Sequence, residues 1–287
     1  MGHTCEATGR GWRKPARPER ARGGEARGIV GDKRAPRRRG ARGWRRRCEA
    51  ASRGAIRYDR KPFLPGPTMS FSPRAYLFDF DLTLADSSDA ICFCAAAALT
   101  DMGQAVPPRE RIEDSIGLTL EQTFAFLSGN QDAALAASYR TRFVAHADRV
   151  MVGMTRFYPD AVALLAELHA RRIPVAIVST KYRYRIEQIL RHLDLAQLVT
   201  VIVGHEDVGR HKPDPEGLLK ALDLLGVKAD EAIYVGDHTA DQQAAAAAGT
   251  RFVGAVTGKI SSAQWRERGC RAIERELGEV LGMGREG

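Results

Sequence analysis

The sequence predicts an α/β protein: a Rossmann-like parallel sheet core with an inserted all-helical cap domain and a disordered basic N-terminal leader. Three observations carry this reading. The run Ala75 to Phe80 is apolar apart from Asp79 and too short for a helix, and it closes on two carboxylates one residue apart, Asp79 and Asp81. From Phe157 onward, short apolar runs alternate with helical segments, the signature of parallel strands joined by right-handed crossovers. Between these two regions, residues 88–155 carry helical patterning and no strand signal.

The elements follow in order. Residues 88–102 are rich in Ala, Cys, Ile and Leu and read as a helix stopped near Gly103. Pro107-Pro108 opens a new segment, Arg109 to Ser115. Thr119 with Gln122 three residues on has the spacing of a capping box, which opens a helix over 120–128 that Gly129 stops. A further helix covers 131–150. Pro159 then begins a helix to Arg172, and strands are expected at 173–178, 199–203, 232–235 and 251–256, the last of the sheet. Helices over 182–193, 215–225 and 239–248 lie between them, and one or two more follow the last strand. The core therefore comprises 69–87 and 156–287, with 88–155 inserted as the cap.

Charge divides the chain. The net charge of +9 hides 20 Lys and Arg against 6 Asp and Glu in residues 1–68, and 24 against 29 in the remainder. The leader, with Arg37-Arg38-Arg39 and Arg45-Arg46-Arg47 set among Gly, Ala and Pro, cannot bury enough apolar surface to offset the entropy of ordering, so disorder is expected. The abrupt change of composition just before the first strand favours translation beginning at Met69. The competing readings are an Arg arm gripping RNA, DNA or acidic lipid, with Trp12 and Trp44 stacking on bases, and a transit peptide. The acidic body is not expected to bind nucleic acid. Cys5, Cys48, Cys92, Cys94 and Cys270 show no paired CxxC spacing, and no apolar run is long enough to span a membrane. A reduced, cytoplasmic protein is the expectation; the sequence leaves the oligomeric state open.

The chemistry sits at the strand ends. Asp79 and Asp81 close the first strand, Ser179 and Thr180 the second, Lys212 lies near the third, and Asp237 with Asp241 follows the fourth. A parallel sheet brings such positions to one edge. Four Asp with one Lys repel one another unless a hard divalent cation lies among them, which points to Mg²⁺ and to phosphate chemistry.

Asp79-Phe80-Asp81-Leu82-Thr83-Leu84, Ser179 or Thr180, Lys212-Pro213-Asp214-Pro215 and Gly236-Asp237 with Asp241 resemble the four ordered motifs of the haloacid dehalogenase superfamily. The insertion is similar to the helical (C1-type) cap of its phosphoglycolate phosphatase-like branch. The resemblance implies Asp79 as a nucleophile forming an aspartyl-phosphate, Asp81 as general acid and base, and Lys212 as the countercharge. It implies Mg²⁺ held by Asp79, the backbone carbonyl of Asp81, and Asp237, with Asp241 in support. Ser179, or Thr180 as its rival, would bind the phosphoryl group. Thr83, Lys181 and, from the cap, Arg140 are further candidates for substrate contact. Leu82 stands where many relatives have Gly, and His238 where many have a small hydroxyl residue.

Asp81 is the residue that dehalogenases of the superfamily lack. The cap contains no lysine for the Schiff-base chemistry of phosphonatases. Hydrolysis of a small phosphorylated metabolite, best phosphoglycolate, is therefore expected. The alternatives are a pyrophosphatase, a nucleoside monophosphate phosphatase, a phosphomutase, or a non-catalytic interaction protein with an RNA-binding arm.

Overall fold

The computed structural model describes residues 71–283, and the expected leader 1–68 lies outside the described residues. Strand β1 (Ala75–Phe78) is fully buried, as its unbroken apolar run requires. It is the third strand of a six-stranded sheet and pairs in parallel with β4 (Val175–Val178) on one side and β6 (Ala232–Gly236) on the other. Strand β5 (Val201–Val203) lies outside β4, while β7 (Arg251–Gly254) and β8 (Arg271–Ala272) extend the sheet beyond β6. All pairings in this sheet are parallel. The chain builds outward from β1 to β5, then returns across β1 to lay down β6, so the sheet reverses its winding at β1 and opens a crevice there.

Side chains alternate across the sheet with a period of two. Tyr76, Phe78, Ile177 and Val235 face one core, closed by α5 (Pro159–Ala170) and α6 (Arg183–His192). Ala75, Leu77, Ala176 and Tyr234 face the other, closed by α7 (Glu216–Leu225) and α8 (Thr239–Ala248).

The inserted segment is helical throughout. It contains α1 (Ser88–Asp101), α2 (Arg109–Glu113), α3 (Leu120–Ser128) and α4 (Ala133–Met154). The expected capping box is present: Thr119 Oγ1 accepts from the Gln122 backbone and Gln122 Oε1 from the Thr119 backbone. Gly129 ends α3 in the left-handed conformation, with φ of 71°. Cys92 and Cys94 are buried on α1.

Two features differ from the expectation. A two-stranded antiparallel ribbon of β2 (Ala85–Asp86) and β3 (Arg156–Phe157) ties the two ends of the helical insertion together. The strand at 251–254 is not the last, because β8 follows α9 (Ser262–Glu267). Strands of two residues are too short to show alternation, which is why neither the ribbon nor β8 is visible as a pattern.

Leu82 adopts φ of 57°, which explains the glycine at this place in the resembling motif. The left-handed conformation costs an L-residue about 1 kcal/mol. It is held because the backbone amides of Thr83, Leu84 and Ala85 all turn back onto the Phe80 carbonyl, while the Leu82 amide donates to the Ala85 carbonyl. The tight loop turns the chain immediately after Asp81. Among the described residues, no helix is long and apolar enough to cross a membrane.

Candidate active site

The carboxylates converge at the C-terminal edge of the sheet. Asp79, one residue beyond β1, donates its backbone amide to the Val235 carbonyl at 2.9 Å and is locked to the neighbouring strand. Asp237 leaves β6, and Asp241 lies in the first turn of α8. Carboxylate oxygens of Asp79, Asp237 and Asp241 all lie within 4.8 Å of one another, and the three residues are buried.

Lys212 binds this cluster. Its Nζ lies 2.6 Å from Asp241 Oδ1 and 2.9 Å from Asp79 Oδ1, and it donates to the Tyr234 hydroxyl at 3.2 Å. The contact with Asp79 is an ion pair without the alignment of a hydrogen bond, so Asp79 Oδ1 keeps a lone pair unclaimed among the described residues. Burial raises Asp79 to about 6, with Lys212 opposing the rise and Asp241 adding to it. Asp237 is pushed well above the carboxylate range by burial, then by Asp241 and Asp79. Burial alone would depress Lys212, but Asp241 and Asp79 outweigh it and hold the ammonium above its ordinary value.

Such crowding is what a dication relieves, and the donor set is all-oxygen, as a hard cation requires. Asp79 and Asp237 therefore fit a site for a hard divalent cation. Asp241 is already engaged: its Oδ1 accepts from Lys212 and from the Tyr234 hydroxyl at 2.8 Å, and its Oδ2 from the His238 amide at 3.0 Å. It suits the supporting role better than that of a primary ligand.

Other expected residues are distributed unequally. Ser179, at the end of β4, is buried, and its hydroxyl accepts only a 3.3 Å bond from the Lys181 amide. The Thr180 hydroxyl donates instead to the Gly117 carbonyl of the helical insertion. Thr83 donates to Asp237 Oδ1 at 3.1 Å and so orients a carboxylate of the cluster. Lys181 Nζ lies 3.1 Å from Asp81 Oδ1. Both line a small cleft, open to solvent at its mouth, between the sheet edge and the insertion. Arg140 does not itself line this cleft; its side chain is 43% exposed, faces Glu121 at 3.5 Å and lies against Tyr182, which does line it. Of the other arginines of the insertion, Arg109 pairs with Asp89 and Glu113, Arg111 covers Phe126, and Arg142 bonds Ser138 within its own helix.

Tyr234 and Gly258 escape sequence reasoning, while His238 and Gly236 are named in the fourth motif without the roles the structure gives them. Tyr234 reads as one more apolar strand position, and its hydroxyl role appears only when α8 packs against the sheet. His238 takes the N-cap of α8, its Nδ1 accepting from the Ala240 amide at 3.2 Å, the service a small hydroxyl residue would provide. Gly236 is required because a Cβ there would meet the Asp241 carboxyl at about 2.5 Å. Gly258 is tighter still in its consequence, since a Cβ would lie 2.8 Å from Asp237 Cβ and 2.9 Å from its Cγ. Gly258→Ala is expected to swing Asp237 out of the cluster and weaken activation by a divalent cation at least tenfold, read as the cation concentration giving half-maximal activity. An unchanged value would show that Asp237 does not hold the cation.

The comparisons agree with this fold. The family model for haloacid dehalogenase-like hydrolases matches residues 76–255. A phosphoglycolate phosphatase of Rhodospirillum rubrum is 33% identical over 190 residues, covering 63% of this chain and 78% of its own. The pyrophosphatase PpaX of Bacillus cereus is 31% identical over 198 residues, covering 69% of this chain and 86% of its own. A solved structure from Bacteroides fragilis, of a protein assigned by likeness to the same hydrolases, superposes with a TM-score of 0.70 at 39% identity. It covers 73% of this chain and 100% of that one.

Proposed function

This chain belongs to the haloacid dehalogenase-like hydrolase family and is a phosphoric monoester hydrolase, and from that premise we propose Mg²⁺-dependent hydrolysis through an aspartyl-phosphate on Asp79. The single observation carrying the proposal is the seating of Lys212 between Asp79 and Asp241, with Asp237 beside them.

An Asp79 oxygen attacks phosphorus, and the bond from phosphorus to the ester oxygen breaks. Asp81 gives its proton to the departing alkoxide, then takes one from the water that attacks phosphorus and restores Asp79. Lys181 is placed to exchange its ion pair with Asp81 for the incoming phosphoryl oxygens. Ser179 donates its hydroxyl to the phosphoryl group, and Lys212 keeps Asp79 anionic despite burial. Held by Asp79, the Asp81 carbonyl and Asp237, Mg²⁺ would neutralise the non-bridging phosphoryl oxygens. Residues 88–155 act as a cap over a core of 69–87 and 156–287, and the substrate is a small phosphorylated metabolite. Phosphoglycolate is the first ester to try, because the relative from R. rubrum bears that name. The PpaX relative supports pyrophosphate as the second.

A panel of phosphate esters and pyrophosphate, ranked by kcat/KM with Mg²⁺ and with EDTA, tests the proposal. Activity persisting in EDTA would refute the metal requirement. The raised carboxyl groups also predict a pH dependence. In the metal-free protein, Asp79 and Asp237 hold protons to higher pH than in the unfolded chain. Their contribution to stability is complete below the ordinary carboxylate range near 3.8 and is lost as pH rises through about 6 for Asp79 and further for Asp237. A cation must displace those protons. The rise in Tm on adding Mg²⁺ is therefore expected to grow from about pH 5 to about pH 8, and a larger rise at the lower pH would contradict the assignment.

A further inference from the structure

Three consecutive residues after β7 reach three different parts of the molecule. Thr257 donates its hydroxyl to the Leu82 carbonyl, in the tight turn that follows Asp81. Gly258 lies against the Asp237 side chain, with no room for a Cβ between them. Lys259 crosses to the helical insertion, where its Nζ donates to the Glu110 carbonyl of α2 at 3.2 Å and forms an ion pair with Asp114, the residue after that helix. The start of this segment is fixed to the sheet: the Ala255 amide donates to the Gly236 carbonyl at 2.8 Å, and the Ala255 carbonyl accepts from the Trp265 indole at 3.0 Å. Its far end is tied to the insertion.

The two partners of Lys259 are 149 and 145 residues away in the chain, so this bridge exists only when the insertion is seated on the core. Lys259 and Asp114 are 50% and 47% exposed, and a solvated pair of this kind adds little to folding. What it positions matters more. Asp237 is repelled by Asp241 and Asp79, and its side chain is kept among them by the Thr83 hydroxyl and by Gly258 packed against it.

Resting on the phosphatase reading and the cap role above, we propose that Lys259 is a positioning residue: the seated insertion, acting through Lys259 and Gly258, holds Asp237 in the carboxylate cluster and so raises the affinity for the divalent cation. The linkage is reciprocal, so a bound cation favours the seated insertion.

Positioning has a sign that charge alone does not. An ammonium near the cluster repels a dication, so through its field alone the loss of Lys259 would tighten cation binding. Through positioning, its loss weakens binding. Asp114 carries the opposite charge, yet positioning gives its removal the same sign.

The probe is Mn²⁺, with the free ion read by electron paramagnetic resonance and Mg²⁺ added as competitor. It is applied to the native protein, Lys259→Met, Asp114→Asn and the double variant; both positions are half exposed, so the substitutions leave the core untouched. Each single variant is expected to bind Mn²⁺ about two- to fivefold more weakly, the scale of one exposed ion pair. The double variant is expected to bind no more weakly than Lys259→Met, because both act on one bridge. Lys259→Glu is expected to weaken binding further, and Asp114→Lys in the same chain to restore it to within about twofold of native. Unchanged or tighter binding in Lys259→Met, losses that add in the double variant, or a charge swap that restores nothing would each overturn the linkage and leave the phosphatase reading intact. The expected binding pattern in a protein that hydrolyses no monoester would remove the phosphatase reading and leave the linkage.

Discussion

Asp79→Asn is expected to lower kcat by about four orders of magnitude or more while leaving the fold intact. The amide is nearly the same size as the carboxylate, so the buried position one residue beyond β1 keeps its packing. What disappears is the nucleophile, and with it the covalent route. The stability effect has the opposite sign to the usual cost of a buried substitution. Burial and Asp241 hold the Asp79 carboxyl above its ordinary range, so its charge is a burden in the metal-free protein. Lys212 retains Asp241 at 2.6 Å in the variant. Thermal unfolding without metal is therefore expected to give an equal or higher Tm, and a steady-state assay a kcat near background. Activity above about one per cent of native would remove Asp79 from the nucleophile's role.

Lys212→Met is expected to damage both activity and stability. The lysine is the one ammonium in contact with Asp79 and Asp241 among the described residues, and its side chain is 6% exposed. Removing it leaves buried carboxylates without their cation, a change that costs about 3–5 kcal/mol when one partner of a buried pair is deleted. Asp237 and Asp241 lie close enough to add their own repulsion. The loss is expected to be largest above the pH range in which Asp79 ionises and to shrink toward pH 5, where the carboxyl groups take up protons. Denaturant unfolding at both pH values measures it. An equal loss at both would show that Lys212 matters through packing and not through charge.

The core of this site was readable because its chemistry lies at strand ends, where an apolar run must stop and a polar residue stands out. Asp79, Ser179 and Asp237 are all of that kind, and the parallel topology alone brings them together. The capping box at Thr119 was equally legible, since both of its hydrogen bonds are set by a spacing of three. What escaped depends on packing between distant segments. Tyr234 looks apolar until Asp241 and Lys212 reach its hydroxyl from two other elements. Gly258 looks like loop glycine until Asp237 fills the space where a Cβ would go. Arg140 shows the same limit. A charge in a helical sequence does not reveal which face is buried, and here Arg140 meets Glu121 and Tyr182 with its side chain 43% exposed.

Covalent catalysis by Asp79 is the central claim, and the stereochemical course at phosphorus tests it most directly. A phosphorothioate ester made chiral at phosphorus by its sulfur and two oxygen isotopes is hydrolysed in water carrying the third. Attack by Asp79 followed by attack of water makes two inversions, so the thiophosphate released is expected to retain its configuration. Inversion would mean that water attacks the ester directly, and Asp79 would then hold only the metal or the water.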